Sequence, residues 1–302
     1  MIVSSRCLSR RRAAVVAVVP VALALVAAAC GPDPGSGHHA SVLSMDHSSV
    51  PATSSPMPGM PGMGAMDGLS SEQAGYTMFS SAATLPSGKA TDYRFTITGP
   101  NGKPVTAFAV TQTKRLHFYA IRSDLTGFQH IHPTMASDGV WTASLAALQP
   151  GTWRLFTQFT PDTGSGKGQD FVLSRTVTVP GPVTPVALPE ASTSTTVDGY
   201  VMNVSGELKA GTGSALTVTF AKAGKPVTDL QPYLDTYAHL TAFHQGDQAF
   251  AHLHPETKVH GDRGGPTLLF HANLPRSGDW RLFLQFQTEG RLHTAAITVH
   301  VT

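Results

Sequence analysis

The sequence predicts an all-β protein in which two tandem antiparallel β-sandwich domains follow a disordered tail. Three observations carry that expectation. Five blocks of the first half recur, in order, in the second half. Short runs alternate large apolar residues with Arg or Thr, the period-two pattern of a half-buried strand. Gly- and Pro-containing turn signals separate those runs about every ten residues. Helical periodicity is absent, apart from a short turn expected near Asp229 to Thr236. At 302 residues, 41% of them apolar, the chain is long enough for two domains of ordinary size.

The repeat justifies the elements one by one. Gly75-Tyr76-Thr77-Met78 matches Gly199-Tyr200-Val201-Met202. Gly102-Lys103-Pro104-Val105-Thr106 matches Gly224-Lys225-Pro226-Val227-Thr228. Gly151-Thr152-Trp153-Arg154-Leu155-Phe156 matches Gly278-Asp279-Trp280-Arg281-Leu282-Phe283. The offset runs 124, then 122, then 127, which places five extra residues after His254, in the loop from His260 to Gly265. Tyr93 to Ile97 and Leu216 to Phe220 have strand texture, and Trp153 and Trp280 are expected core anchors. These features predict one sandwich of about seven strands over 73–180, a Pro/Ser/Thr-rich linker over 181–196, and a second sandwich over 197–302.

Residues 1–29 read as an export signal: Arg6, Arg10, Arg11 and Arg12 precede the apolar run Ala13 to Ala29. Ala27-Ala28-Ala29-Cys30-Gly31 resembles a bacterial lipoprotein signal, in which Cys30 would receive the lipid. A plain secretory peptide and an uncleaved N-terminal anchor are the alternatives. Lipidation predicts an anchored protein on the extracytoplasmic face of the cell membrane. Removing the leader takes four basic residues from 21 and leaves all 19 acidic ones, a formal charge of −2, so no nucleic-acid partner is expected. Cys7 and Cys30 are the only cysteines, and the mature domains therefore contain no disulfide.

The chemistry-bearing signal is a histidine pattern that occurs twice. His117-x12-His130-x-His132-Pro133 recurs as His239-x12-His252-x-His254-Pro255. On a strand, residues two apart share a face, so each His-x-His pair sets two rings side by side. A third ring from a neighbouring strand would complete a site for Zn(II) or Cu(II), both of which suit imidazole with one open position. Leu116, Phe118 and Ala120, and likewise Ala238, Leu240 and Ala242, are expected to face the cores, which leaves the rings on a cleft or an interface. The alternative is that the histidines bond to backbone or hold the domains together. The second copy is richer, because His260, His271 and His293 have no counterparts, and it is the favoured copy if one alone binds metal.

Residues 30–72 are rich in Met, His, Pro, Gly and Ser and read as a disordered tether. A coil of that length reaches about 35 Å. Met57, Met60, Met63 and Met66 recur every third residue, which lines their thioethers along one edge of a polyproline II helix. Adjacent sulfurs would stand about 9 Å apart in the rigid form, and the glycines allow a bend that gathers them. Thioether suits Cu(I). No nucleophile elbow, zinc-protease pattern or free thiol is present, so no catalytic residue and no enzymatic activity are expected.

These residues resemble bacterial exported lipoproteins with YtkA-like immunoglobulin-like domains. The resemblance rests on Gly-Lys-Pro-Val-Thr, on Asp124-Leu125-Thr126-Gly127-Phe128-Gln129-His130-Ile131-His132-Pro133, and on Tyr233-Leu234, His239-Leu240, Leu253-His254-Pro255 and Leu282-Phe283-Leu284-Gln285-Phe286. It covers both domains. The tail separately resembles the Met/His-rich segments of periplasmic copper-resistance proteins. Together they imply immunoglobulin-like sandwiches, copper as the bound ion with zinc as the alternative, and a metal-handling protein partner. The function expected is sequestration or delivery of metal; the alternative is an envelope protein-interaction module whose histidines sit structurally at the domain interface.

Overall fold

The computed structural model describes residues 67–302. The leader, Cys30 and the four methionines Met57, Met60, Met63 and Met66 lie outside the described residues. All regular structure among the described residues is β, and every pairing between two named strands is antiparallel. Both repeats fall within one compact unit. The helical turn expected near Asp229 is instead a tight turn at Leu234-Asp235, two residues with positive φ.

The first repeat contains β1 (Glu72–Gln73), β2 (Tyr76–Phe79), β3 (Thr91–Thr98), β4 (Leu116–Arg122), β5 (Gln129–Ile131), β6 (Thr134–Met135), β7 (Val140–Leu145), β8 (Gly151–Phe159) and β9 (Phe171–Val179). They form two sheets, ordered β1-β2-β3-β7-β6 and β5-β4-β8-β9. The second repeat contains β10 (Ser194–Val197), β11 (Tyr200–Ser205), β12 (Gly213–Lys222), β13 (Lys225–Pro226), β14 (Ala238–His244), β15 (Phe250–Pro255), β16 (Thr267–Asn273), β17 (Gly278–Thr288) and β18 (Arg291–Val301). Here β15 passes from one sheet to the other. Its first part pairs with β14, and then His254 and Pro255 pair with β16.

Alternation builds each core. Tyr93, Phe95 and Ile97 of β3 point inward, as do Leu216, Val218 and Phe220 of β12. Trp153 and Trp280 are fully buried at matching positions, and each indole N–H donates to a carbonyl four residues earlier, Gln149 or Arg276, at 2.9 Å. The expected anchors therefore share one local geometry in both repeats.

Strands β4 and β14 depart from alternation, because they are buried on both faces. Leu116, Phe118 and Ala120 enter the first core, while Tyr119 and Ile121 turn the other way into a third apolar cluster. Phe156, Phe243, Phe250 and Phe283 belong to that cluster, so it joins the two repeats. Phe128 lies flat on Phe283 at 4.3 Å and 10°, and Tyr119 meets Phe250 at 5.1 Å. Such pairs add about 0.5–1.5 kcal/mol each beyond the area they bury. The second faces of β4 and β14 thus form a seam between the repeats.

Two segments expected to be unstructured are tied to this body. Residues 67–71, assigned to the tether, run along both repeats: Asp67 pairs with Arg276 at 2.6 Å, and its carbonyl accepts from Phe250 N at 2.7 Å. Arg154 Nη1 donates to Leu69 O at 3.1 Å. In the linker over 181–196, Val186 N donates to Asp124 Oδ2 at 3.0 Å, Ser192 N donates to Thr298 O, and Ser194 onward pairs with β11. Composition missed both because main-chain groups of these segments take part in most of the fastening, with Asp67 and Arg276 adding one ion pair.

Gly127 orients the segment that carries His130. Its φ is +71°, and a β-carbon there would overlap the Trp153 ring. Gly127→Ala combines left-handed backbone strain with overpacking and should cost about 2–4 kcal/mol. Urea unfolding of the variant checks this; an unchanged midpoint would remove Gly127 from that role.

Candidate metal centre

Register places the rings. His117 on β4 lies opposite Gln158 of β8, and β5 brings His130 opposite Tyr119. His117, Tyr119 and Ile121 share the seam face, and His132 follows β5 immediately. One potential ligand atom from each of His117, His130 and His132 lies within 4.8 Å of the other two. Their ring centres are 4.8–5.4 Å apart. His130 also stacks on Tyr119 at 4.4 Å and 17°.

The outer nitrogens of two rings are already engaged. His117 Nε2–H donates to the Thr111 carbonyl at 3.0 Å, and His130 Nδ1–H donates to Gln285 Oε1 at 2.7 Å. Gln285 Nε2 donates onward to Thr294 at 3.3 Å. Metal-bound histidines are commonly oriented in this way through the second ring nitrogen. With both outer protons in place, His117 Nδ1 and His130 Nε2 face each other as lone pairs at 3.1 Å. Two nitrogens on a tetrahedral zinc ion stand about 3.3 Å apart, from a Zn–N length of about 2.05 Å. His132 Nε2 is buried and makes no hydrogen bond. The donor set therefore fits an ion that takes neutral imidazoles.

Electrostatics keep these rings neutral. Burial lowers the pKa of His117, and lowers that of His130 well below the ordinary value. Burial first, and then the neighbouring charges of His117, Lys114 and His239, bring His132 down to about 3. Burial and His117 bring His239 down to about 4. Neutral imidazole is the form that binds metal. A cavity of about 140 Å³, lined by His117, His252, Lys114 and Asp170 among others, opens beside the cluster.

The second triplet is arranged differently. His239 occupies the seam face of β14, with its ring 6.3 Å from that of His117 and 5.8 Å from that of His130. His252 lies 5.9 Å from His239, and His254 pairs in register with His271. Five of the repeated histidines thus form one run of rings through the seam, and the compact three-ring group comes from the first repeat. The extra histidines of the second repeat stand elsewhere. His260 and His271 are exposed, the latter 3.9 Å from Glu256. His293 is buried between Asp198 (2.7 Å) and Thr288 (2.9 Å), whose hydroxyl reaches Tyr200 at 2.7 Å. Thr288 is 1% exposed, so the inner end of that relay is closed off from solvent.

Sequence reading did not anticipate three parts of the site. Gln285 belongs to one repeat and serves a histidine of the other. The Thr111–Lys114 turn recurs as Tyr233–Thr236 at the same offset of 122, with Thr111 O and Tyr233 O in equivalent places. The third is the burial of the second face of β4, signalled by Tyr119 and Ile121, which leave that face with no charged residue.

A family model described as a domain of unknown function, DUF8832, matches residues 71–179 and again 195–302. No curated protein sequence matches. Among solved structures, Salmonella alpha-2-macroglobulin reacted with methylamine is 11% identical, with 75% of this chain and 14% of that one covered and a TM-score of 0.26. The bacterial integrin-binding protein invasin is 11% identical, with 75% and 38% covered and a TM-score of 0.23. Domains 4–9 of the surface layer protein SbsC are 14% identical, with 75% and 31% covered and a TM-score of 0.21. The chain spans well under half of each, and likeness of this extent transfers no function.

Two outcomes follow from the site. Gln285 is 5% exposed, so Gln285→Ala leaves His130 Nδ1 without its acceptor and should destabilise the metal-free protein by about 1–3 kcal/mol. A double-mutant cycle with His130→Ala should return a coupling well above zero; simple additivity would detach the two residues. The unfolded chain takes up protons at the ordinary histidine pKa of 6.5, whereas the folded chain holds His239 at about 4 and His132 at about 3. Acidification therefore favours unfolding across that window, and the contribution is fully present above pH 6.5. The urea midpoint of the metal-free protein should fall steadily from pH 6.5 to pH 4, and the fall should be shallower in His239→Phe.

Proposed function

Since the chain belongs to the DUF8832 family through both of its repeats, and that family carries no described function, we propose that it is a metal-binding protein of the cell envelope. In this reading it sequesters or delivers a first-row transition ion rather than turning over a substrate. The single observation that carries the reading is the group formed by His117, His130 and His132, whose potential ligand atoms lie within 4.8 Å of one another, with the inner nitrogens of His117 and His130 at 3.1 Å and their outer nitrogens tied. Imidazoles held in that way suit Zn(II) and Cu(II).

The sequence supports the rest of the proposal. The leader and Cys30 support a lipid anchor on the extracytoplasmic face, and the resemblance to YtkA-like lipoproteins supports the same location. Met57, Met60, Met63 and Met66 support Cu(I) capture by the tail, and the likeness of that tail to copper-resistance segments favours copper over zinc. A tail that takes Cu(I) and a domain that takes Cu(II) or Zn(II) would serve transfer to a metal-handling partner.

A second reading rests on the seam itself. Turning the Gln285 amide over lets His130 Nε2–H donate to His117 Nδ1 and gives a neutral chain of hydrogen bonds with no ion. The histidines then fasten the repeats, and the protein presents a binding surface to another envelope component.

Zinc calorimetry on the full-length protein separates the two. One equivalent should be lost in His132→Ala, whose ring is only partly buried and whose fold should persist. Equal stoichiometry and affinity in that variant would reject the metal site and favour the fastening role.

A further inference from the structure

We propose that His239 of the second repeat is the fourth ligand of the ion held by His117, His130 and His132, so that one metal ion joins the two repeats. This rests on the reading of the three-ring group as a metal site.

The state of His239 is the first ground. The residue is 1% exposed, and neither ring nitrogen makes a hydrogen bond of normal geometry. Buried polar groups are nearly always paired, and one left over signals a missing partner. The ring is flanked by Tyr233 at 5.7 Å and His252 at 5.9 Å, and otherwise lies against His117 and His130.

Distance is the second ground. Four imidazoles on a tetrahedral ion place their ring centres about 5 Å apart, given a metal–nitrogen length of about 2.05 Å. The three rings of the first repeat meet that spacing at 4.8–5.4 Å. His239, at 5.8 Å from His130 and 6.3 Å from His117, stands just outside that group and has to close by about 1 Å when the ion is bound.

The repeat supplies the third ground. His239 is the counterpart of His117, and Tyr233 O is the counterpart of the Thr111 carbonyl that orients His117. The backbone of Leu234 and Tyr233 lies close enough to favour the protonated form of His239. One nitrogen can therefore be directed to the turn while the other is offered to the ion, as in His117. The second repeat already orients one ligand, since Gln285 is the cross-strand neighbour of His239 and accepts from His130. Three neutral imidazoles leave one coordination position open, and His239 is the unbonded donor beside it.

The test uses full-length protein loaded with one equivalent of Zn(II), read by X-ray absorption and by calorimetry. The wild type should show four imidazole nitrogens at about 2.0 Å. His239→Ala should show three, with an oxygen in the fourth place, and should bind zinc at least tenfold more weakly. Saturating zinc should also raise the melting temperature of the wild type more than that of the variant. His239→Phe keeps a ring in the seam and removes both nitrogens; it should behave like the alanine variant and provides the same reading if the latter does not fold. Wild-type affinity and coordination in both variants, with binding still lost in His132→Ala, would overturn the bridging role and leave the three-histidine site standing. Failure of the wild type to bind zinc, or wild-type binding in His132→Ala, would overturn both.

Discussion

The second faces of β4 and β14 are the constraint on which the rest of this structure depends. Each strand gives one face to its own sandwich core and the other to its neighbour repeat, so neither sheet has a solvated side there. Parallel sheets commonly show such two-sided burial, while antiparallel sheets in sandwiches usually keep one face wet. Here the antiparallel strands lose it because a second copy of the same fold lies against them. Aromatic and aliphatic side chains fill one part of the seam, and imidazoles occupy another.

That division explains why polar rings are tolerated at such depth. An imidazole buried without a partner is costly, and two of the three first-repeat rings offset the cost differently. His117 uses a turn carbonyl, and His130 uses the side chain of Gln285. The inner nitrogens, at 3.1 Å, carry the unresolved demand. A cation answers it, or a shift of one proton and one amide does. The same low-polarity setting that depresses the pKa values also keeps water from competing for the lone pairs.

Much of the architecture was legible in the chain. The β texture, the duplicated blocks and the two sandwiches follow from alternation and turn residues, and the tryptophans take their expected places in both cores. The site was legible only in residue type. His117 and His130 are joined by pairing between β4 and β5, which the intervening turn at Asp124 to Gly127 makes readable. Gln285 is 155 residues from His130, and although it lies in the Leu282 to Phe286 motif, nothing local connects the two residues. The fastening of residues 67–71 was hidden for a similar reason, because apart from the Asp67–Arg276 pair their contacts run through main-chain groups that every residue possesses.

The amino-acid sequence determined by itself that the chain is all-β, that it is duplicated, and that each copy sets histidines on one strand face. Those properties depend on period-two alternation and on spacing, which are local. Tertiary structure alone decided that the two histidine faces meet, that a ligand of one repeat is oriented by a side chain of the other, and that His117 and His239 are buried while His130, His132 and His252 are partly so. Those outcomes depend on how two apolar strand faces pack, and the pairing of two surfaces is a property of shape that no run of neighbouring residues encodes.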